Sequence, residues 1–419
     1  MVKILSLILS LISCASAPIA ATSGTENVTR GKSLAAEEPA KNTVIMYHNN
    51  EVVYSDSSYK WNYCFEQMKA KHKEITDGGG QHSFRCVIEM ATDEFVDNFE
   101  SASYLPMPIE INMHGHTITL NYGDYWNIDH GLKINGDGGT IKTTREKTDY
   151  NCSIFVDGGD LEVYSTKFEN FHTNMKYPLF ATGNKTTKPV FNNCTFTQCS
   201  SATYGGAICL ERTENLRMVN CKFDYCSSKY GGAIYAEDII GVDNVDAISV
   251  RFCSFTLCSA SHSGGAIYLY NNKTPDKNLV FDFYQDVITD CFANSYGGGI
   301  YLDCYDAGLN MTASKMDRCA TYHYGGGIYS HNDRTSISQC EIFYGSAEYG
   351  AGVYFNGRSP ELYHVTIHDC NANKSGGAYY ARYVSGEESL DIYYPNFYNN
   401  SPSDGNATAM ASGSLVILF

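Results

Sequence analysis

From residue 84 onward apolar positions recur at every second residue, in short runs broken by Gly, Asn, Asp and Ser. Phe84–Ile88, Ile109–Ile111, Thr117–Leu120, Leu132–Ile134 and Leu161–Val163 read this way. A period of two puts alternate side chains on one face, so these runs predict strands. One earlier segment keeps another rhythm. Trp61, Cys64, Phe65, Met68, His72 and Ile75 fall three or four apart and predict a helix with one apolar stripe, ended by Gly78-Gly79-Gly80.

Between residues 205 and 376 a small-residue step, an apolar residue and usually a tyrosine occur together seven times. The first copies are Gly205-Gly206-Ala207-Ile208-Cys209 and Gly231-Gly232-Ala233-Ile234-Tyr235; the others start at Gly264, Gly297, Gly325, Gly350 and Gly376. Successive copies lie 26, 33, 33, 28, 25 and 26 residues apart. That period, carried by β-branched and aromatic residues, marks a β-solenoid, an all-β fold in which each repeat is one coil. The expected organisation is a solenoid over residues 109–419, clearest at 168–410. Before it, residues 59–108 supply a capping helix and the first strands, and residues 18–58 a flexible extension. The helix would shield the open edge of the first coil from pairing with other chains. At the far end Ser414–Phe419 is an apolar strand without a polar cap, which reads as a truncated product or an end covered by a partner.

Ahead of each glycine step stands a second pattern: Cys194-x-Phe196-x-x-Cys199, Cys221-x-Phe223-x-x-Cys226 and Cys253-x-Phe255-x-x-Cys258, with looser copies after them. Coils stack ~4.8 Å apart, so equivalent positions become ladders. One ladder is apolar and inward: Phe196, Phe223, Phe255, Ile288, Met316, Ile342, Ile367 and Phe397. A second is sulfur: Cys199, Cys226, Cys258, Cys291, Cys319 and Cys370. Three readings of the sulfur stand open: buried thiols filling space, disulfides between coils, and metal binding. A third ladder, Tyr235, Tyr268, Tyr301, Tyr329, Tyr354 and Tyr380, should face outward beside Tyr204, Tyr230, Tyr296, Tyr324 and Tyr349. Such columns either anchor a partner or only steady the sheet.

Composition bears on place. Lys3, the apolar run Ile4–Ile12 and Ala15-Ser16-Ala17 form a secretory signal over residues 1–17. The 16 cysteines suit an oxidising compartment. Acceptor triplets for N-glycosylation begin at Asn151, Asn184, Asn193, Asn272, Asn310 and Asn373, among others. A net charge of −16 argues against nucleic acid. No later apolar run reaches the ~20 residues of a membrane helix. The chain is expected outside the cell or on its surface, without a cofactor or metal, and with a carbohydrate or a host- or cell-surface protein as partner.

The paired motifs, Gly-Gly-Ala-Ile at 205, 231 and 264 with Phe-x-x-Cys ahead of them, resemble the repeat of chlamydial polymorphic outer membrane proteins. Similar repeats occur in surface proteins of parasitic protists. In the bacterial repeat the second motif is Phe-x-x-Asn, which this chain keeps only at Phe397–Asn400. The resemblance implies a right-handed parallel β-helix of the pectin-lyase-like kind, displayed at a surface and used in adhesion. The same fold also serves polysaccharide lyases and glycosidases, which need converging carboxylates or a carboxylate with a base. Here the acids before the second cysteine are isolated or stand beside a cation, as Asp290 beside Arg318, and read as surface ion pairs. The balance falls against catalysis, and an inert glycosylated spacer is a third reading.

Overall fold

The computed structural model describes residues 41–418 apart from 58–59, 80, 97–104, 121–124, 144–152, 175, 177, 183–186, 213, 240–245, 272–278, 358–359, 383–388, 403–407 and 411–413. The signal segment and most of the expected extension therefore lie outside the described residues.

Each coil carries three principal strands. The first follows the glycine step, as in Ile208–Glu211, Ile234–Glu237 and Ile267–Asn271. The second is Leu216–Val219, Ile248–Arg251 and Leu279–Tyr284. The third is only three residues long: Lys222–Asp224, Ser254–Thr256 and Val287–Thr289. A short return strand such as Ser227–Tyr230 leads to the next glycine step. From Phe84 onward equivalent strands pair in parallel from coil to coil, and the third strands form one sheet of twelve.

The apolar ladder forms in the expected register. Phe196, Phe223, Phe255, Ile288, Met316, Ile342, Ile367 and Phe397 are consecutive partners along the third sheet. All are buried except Phe397, which packs against the core while partly exposed. The rings of Phe196, Phe223 and Phe255 lie 4.7 and 4.8 Å apart and within 5° of parallel. Each such side chain contributes about 1.5–3 kcal/mol through its removal from water.

The glycine step exists because backbones meet there. Gly231 has φ of 67°, a left-handed conformation that disfavours a side chain. A Cβ on Gly232 would strike the carbonyl of Gly265 on the next coil and the Ser259 backbone. A side chain at 232 would force the next coil to shift; one copy of the step, at Gly350, carries a methyl in this place, Ala351.

The third strands are bracketed by one-residue turns, each in the left-handed region. Before the strand these are Asn193, Asn220, Phe252, Gln285, Ala313, Gln339, His364 and Tyr394; after it come Gln198, Tyr225, Leu257, Asp290, Arg318, Tyr344, Asp369 and Asn399. A non-glycine residue in that region costs on the order of 1 kcal/mol, and Asn or Asp bears it most easily.

At the N-terminal end the expected helix is present at Trp61–Thr76, with Trp61, Cys64, Phe65 and Met68 buried in the same continuous core. Residues 43–56, expected to be part of a flexible extension, instead form an antiparallel hairpin of Thr43–His48 and Glu51–Asp56. Its first strand pairs antiparallel with Phe84–Glu89, in register from Thr43–Glu89 to His48–Phe84. The edge protection assigned to the helix is thus supplied, along this sheet, by backbone pairing of the hairpin.

Candidate functional site

The tyrosine ladder stands where the repeat put it, in register from Tyr235 to Tyr380. Successive rings are 5.1, 4.5, 5.1, 5.2 and 5.3 Å apart and within 15° of parallel. Exposure is the correction. Tyr235 is 4 % exposed and Tyr354 2 %, and Tyr329 is buried as well, while Tyr268, Tyr301 and Tyr380 are half-buried. The preceding tyrosines fold over them: Tyr204 stacks on Tyr235 at 4.4 Å, and Tyr296, Tyr324 and Tyr349 meet Tyr329, Tyr354 and Tyr380 at 5.1, 5.0 and 5.3 Å. Hydroxyls at the rim find acceptors. Tyr235 donates to Glu237 at 2.8 Å and Tyr301 to Asp303 at 3.1 Å. Burial pushes the phenol of Tyr354 up to about 12.

The sulfur ladder is also in place, and its chemistry is now defined. Every cysteine among the described residues is a free thiol, so the disulfide reading is corrected. Neighbouring thiols of the ladder interact without bonding covalently, as Cys226 does with Cys199 and Cys258. Four of the thiols donate to a carbonyl of the coil before: Cys226 to Phe196, Cys258 to Phe223, Cys291 to Phe255 and Cys319 to Ile288, at 3.5–3.7 Å. Burial pushes Cys226 and Cys291 well above the usual thiol range.

Sulfur also accepts. The Gly345 amide donates to Cys370 Sγ at 3.3 Å, and the Cys370 amide to Asn400 Oδ1 at 3.0 Å. Asn400 Nδ2 donates to the Ile367 carbonyl at 2.8 Å, as Cys370 donates to that of Ile342. Cysteine and asparagine thus do the same work at the end of the Phe-x-x-Cys and Phe-x-x-Asn motifs. The column before the third strand repeats the device. The amides of Cys221, Cys253, Asp286 and Ser314 donate in turn to Cys253 Sγ, Asp286 Oδ1, Ser314 Oγ and Cys340 Sγ. Asp286 is fully buried, its Oδ2 has no hydrogen-bond partner, and burial pushes its carboxyl up to about 8.

Charged side chains are engaged with one another. Arg318 grips Asp290 with two hydrogen bonds of 2.6 and 3.0 Å and also reaches Asp317 at 2.7 Å, the surface pairing expected from the sequence. That guanidinium holds Asp290 below the usual carboxylate range. Asp303 pairs with His331 at 2.9 Å. Another cation shared by two carboxylates is Arg251, which lies 2.7 Å from Asp282 and 3.8 Å from Asp246. Burial and then Asp282 raise the Asp246 carboxyl. Among the described residues no group of three or more His, Cys, Asp or Glu is arranged to hold a metal ion. Of the glycosylation candidates, Asn193, Asn310 and Asn373 are exposed, and Asn151, Asn184 and Asn272 lie outside the described residues.

The repeat pattern did not point to the outer face of the third sheet. Its one-residue turns project side chains away from the rod, and several are large and apolar: Tyr225 is 59 % exposed, Tyr344 52 % and Tyr394 50 %. Towards the C-terminal coils the rings gather into two arms at the two ends of Thr366–His368. One arm stacks His364 on Tyr394 at 4.6 Å, with Tyr363 edge-on to His364. The other stacks Phe343, His368 and Tyr398 at 5.1 and 4.6 Å, within 9° of parallel, with Tyr344 beside them. His368 Nδ1 meets Asp369 at 2.6 Å and its Nε2 Glu341 at 3.4 Å.

The stacked parallel coils are matched by sequence. Residues 130–286 fit the family model described as right handed beta helix region. The fold is a right-handed parallel β-helix. No curated protein and no solved structure matches the chain. No helix among the described residues is long and apolar enough to cross a membrane.

Proposed function

We propose that this β-helix is a non-catalytic recognition rod, secreted or held at a cell surface, that engages carbohydrate or a protein of a host or neighbouring cell. Its likeness in sequence to polymorphic outer membrane protein repeats and its signal segment support the place. The observation that carries the reading is the contrast between its charges and its rings. Most carboxylates with resolved partners are taken up by arginine, lysine or histidine neighbours, while large aromatic side chains stand exposed at turn positions where smaller polar residues serve elsewhere. Exposed, rigid aromatic surface is the usual currency of recognition.

The test is a binding screen of the intact chain on arrayed glycans and on cultured cells, run beside assays for depolymerised product. Binding without product supports the reading. Turnover of any polysaccharide sinks it and favours a second reading, a lyase or hydrolase centred on Asp246, Asp282 and Arg251. Among the described residues that constellation is the one place where two carboxylates, one of them raised, share a cation. Asp282→Asn would then abolish turnover.

A further inference from the structure

We propose that four histidines at the N-terminal end form an acid-sensitive latch, which holds the hairpin and the helix against the first coil at neutral pH and releases them as the solution turns acidic. In the sequence the four are scattered. His48 ends the first strand of the hairpin, His72 lies in the helix, His82 stands just ahead of Phe84–Glu89, and His130 sits in the turn before Leu132–Asn135. The fold gathers them. The ring of Phe84 is the hub, 4.7 Å from that of His48, 4.4 Å from His72 and 5.8 Å from His82. With Phe84, the rings of His72, His82 and His130 line one open cleft. Hairpin, helix and coil thus meet through imidazoles.

The contacts among them suit the neutral state. His48 Nε2 and His82 Nδ1 share a hydrogen bond of 2.9 Å, with the rings 5.0 Å apart. That bond needs a lone pair on one of the two rings, so it is lost once both are imidazolium. His82 Nε2 is buried without a hydrogen-bond partner. A neutral His82 leaves that nitrogen bare and donates from Nδ1; a protonated one buries an N–H with nothing to receive it. Histidines elsewhere on the rod are built the other way. His114, His116, His323, His331 and His368 each stand beside a carboxylate, which welcomes a proton.

The charges around the cluster do not offset a proton there. Across the hairpin Glu51 is the register partner of His48, and Lys69 and Lys73 neighbour His72 on the helix. Arg85 and Lys133 both hold Glu110, at 3.4 and 3.3 Å. Asp160 and Glu162 line the adjoining cleft on the other side of His130. Among the described residues none of these carboxylates forms an ion pair with the four rings. Asp160 and Glu162 favour the first proton on His130, and its charge then faces His72 and His82. Burial, and then His82 and His130, hold the His72 imidazole below the usual histidine range. A released His72 therefore takes up a proton more readily than a latched one. The latch is whole above about pH 6.5 and weakens as pH falls below it. Opening it uncovers the edge of Phe84–Glu89 that the hairpin pairs with.

The experiment follows amide hydrogen exchange of the intact chain at pH 7.5 and 5.5, corrected for the intrinsic rate. Protection of residues 43–56 and of Trp61–Thr76 is expected to fall about tenfold at the lower pH. Residues 208–381 are expected to hold theirs or gain, because Asp286 among them keeps its proton up to about pH 8 when folded. His48→Gln/His82→Gln retains a side-chain hydrogen bond and takes no proton, so its protection is expected to differ less than threefold between the two pH values. Where that variant is already loose at pH 7.5, His130→Gln, outside both hairpin and helix, is expected to shrink the wild-type fall at least threefold. Equal protection of the wild-type chain at both pH values overturns the latch. So does a tenfold fall that survives in the variants, or one that spreads through residues 208–381.

Discussion

Tyrosine meets opposite fates on two faces of this rod. On the first face six copies stand in a column, and a second column folds over them until Tyr235 and Tyr354 are almost wholly covered. On the third face Tyr225, Tyr344 and Tyr394 occupy one-residue turns and stay in water. The difference lies in backbone, not residue type. An outward strand position has neighbours a rung above and below and a column beside it. A left-handed turn residue points off the corner, where it meets little beyond the turn residue of a neighbouring rung, as His364 meets Tyr394, and half of the side chain stays in water.

The comparison breaks most severely at the glycine step that sets the first face. In Gly265→Ala the new Cβ strikes the Gly298 carbonyl and the Phe292 backbone. Relief needs backbone on both sides to move, as a coil built around Ala351 allows but this one is not shaped for, so a loss above about 3 kcal/mol is expected, read as a fall in the urea midpoint. Next comes a direct pairing of the two fates. Tyr301→Ala removes a ring stacked on both sides and is expected to cost on the order of 3 kcal/mol. Tyr344→Ala should change stability by less than about 0.5 kcal/mol. Equal losses in the two variants would erase the distinction.

A third measurement turns inward from the same corners. Gln285 takes a left-handed turn and Asp286 follows it into the core. Its folded carboxyl holds a proton up to about pH 8, whereas the unfolded one releases it near 4. The folded state therefore binds the extra proton between those limits. Stability is greatest below pH 4, declines as pH rises towards 8 and is flat above it. Asp286→Asn should remove the decline and gain about 2 kcal/mol at pH 8.5, seen as a higher urea midpoint there than at pH 5 relative to wild type. The smallest effect is Tyr344→Asn, expected to stabilise by roughly 0.5 kcal/mol through relief of the turn.

How much of this could be read from the chain depends on whether the signal is linear. The apolar ladder from Phe196 to Phe397 was legible because repeats of 25–33 residues in a parallel coil turn spacing directly into contact. The hairpin has a short-range sign of its own. Asn49-Asn50, both with positive φ, joins two apolar runs and is a tight-turn pair. The covering of the tyrosines was not legible, since it depends on how far Tyr204 and its successors lean across a corner. Nor were the aromatic arms. Tyr344 and Tyr394 read as ordinary alternation until the backbone shows each to be a turn of one residue. The work of the cysteines needed the next coil: a thiol looks like a disulfide half or a filler until the amide that points at it is known.

That relay of amides has a consequence for how such a rod is lengthened or shortened. The Cys253 amide is answered by Asp286, that of Asp286 by Ser314, and that of Cys370 by Asn400, always from the rung that comes after. A newly made rung therefore waits on its successor, and growth during synthesis proceeds like bricklaying, each course locked by the one laid on it. A duplication or deletion of a repeat succeeds only where the splice delivers an acceptor atom to the dangling N–H. The interchange of Cys, Ser, Asp and Asn at these corners is the record of a junction that asks for a lone pair and is indifferent to which element carries it.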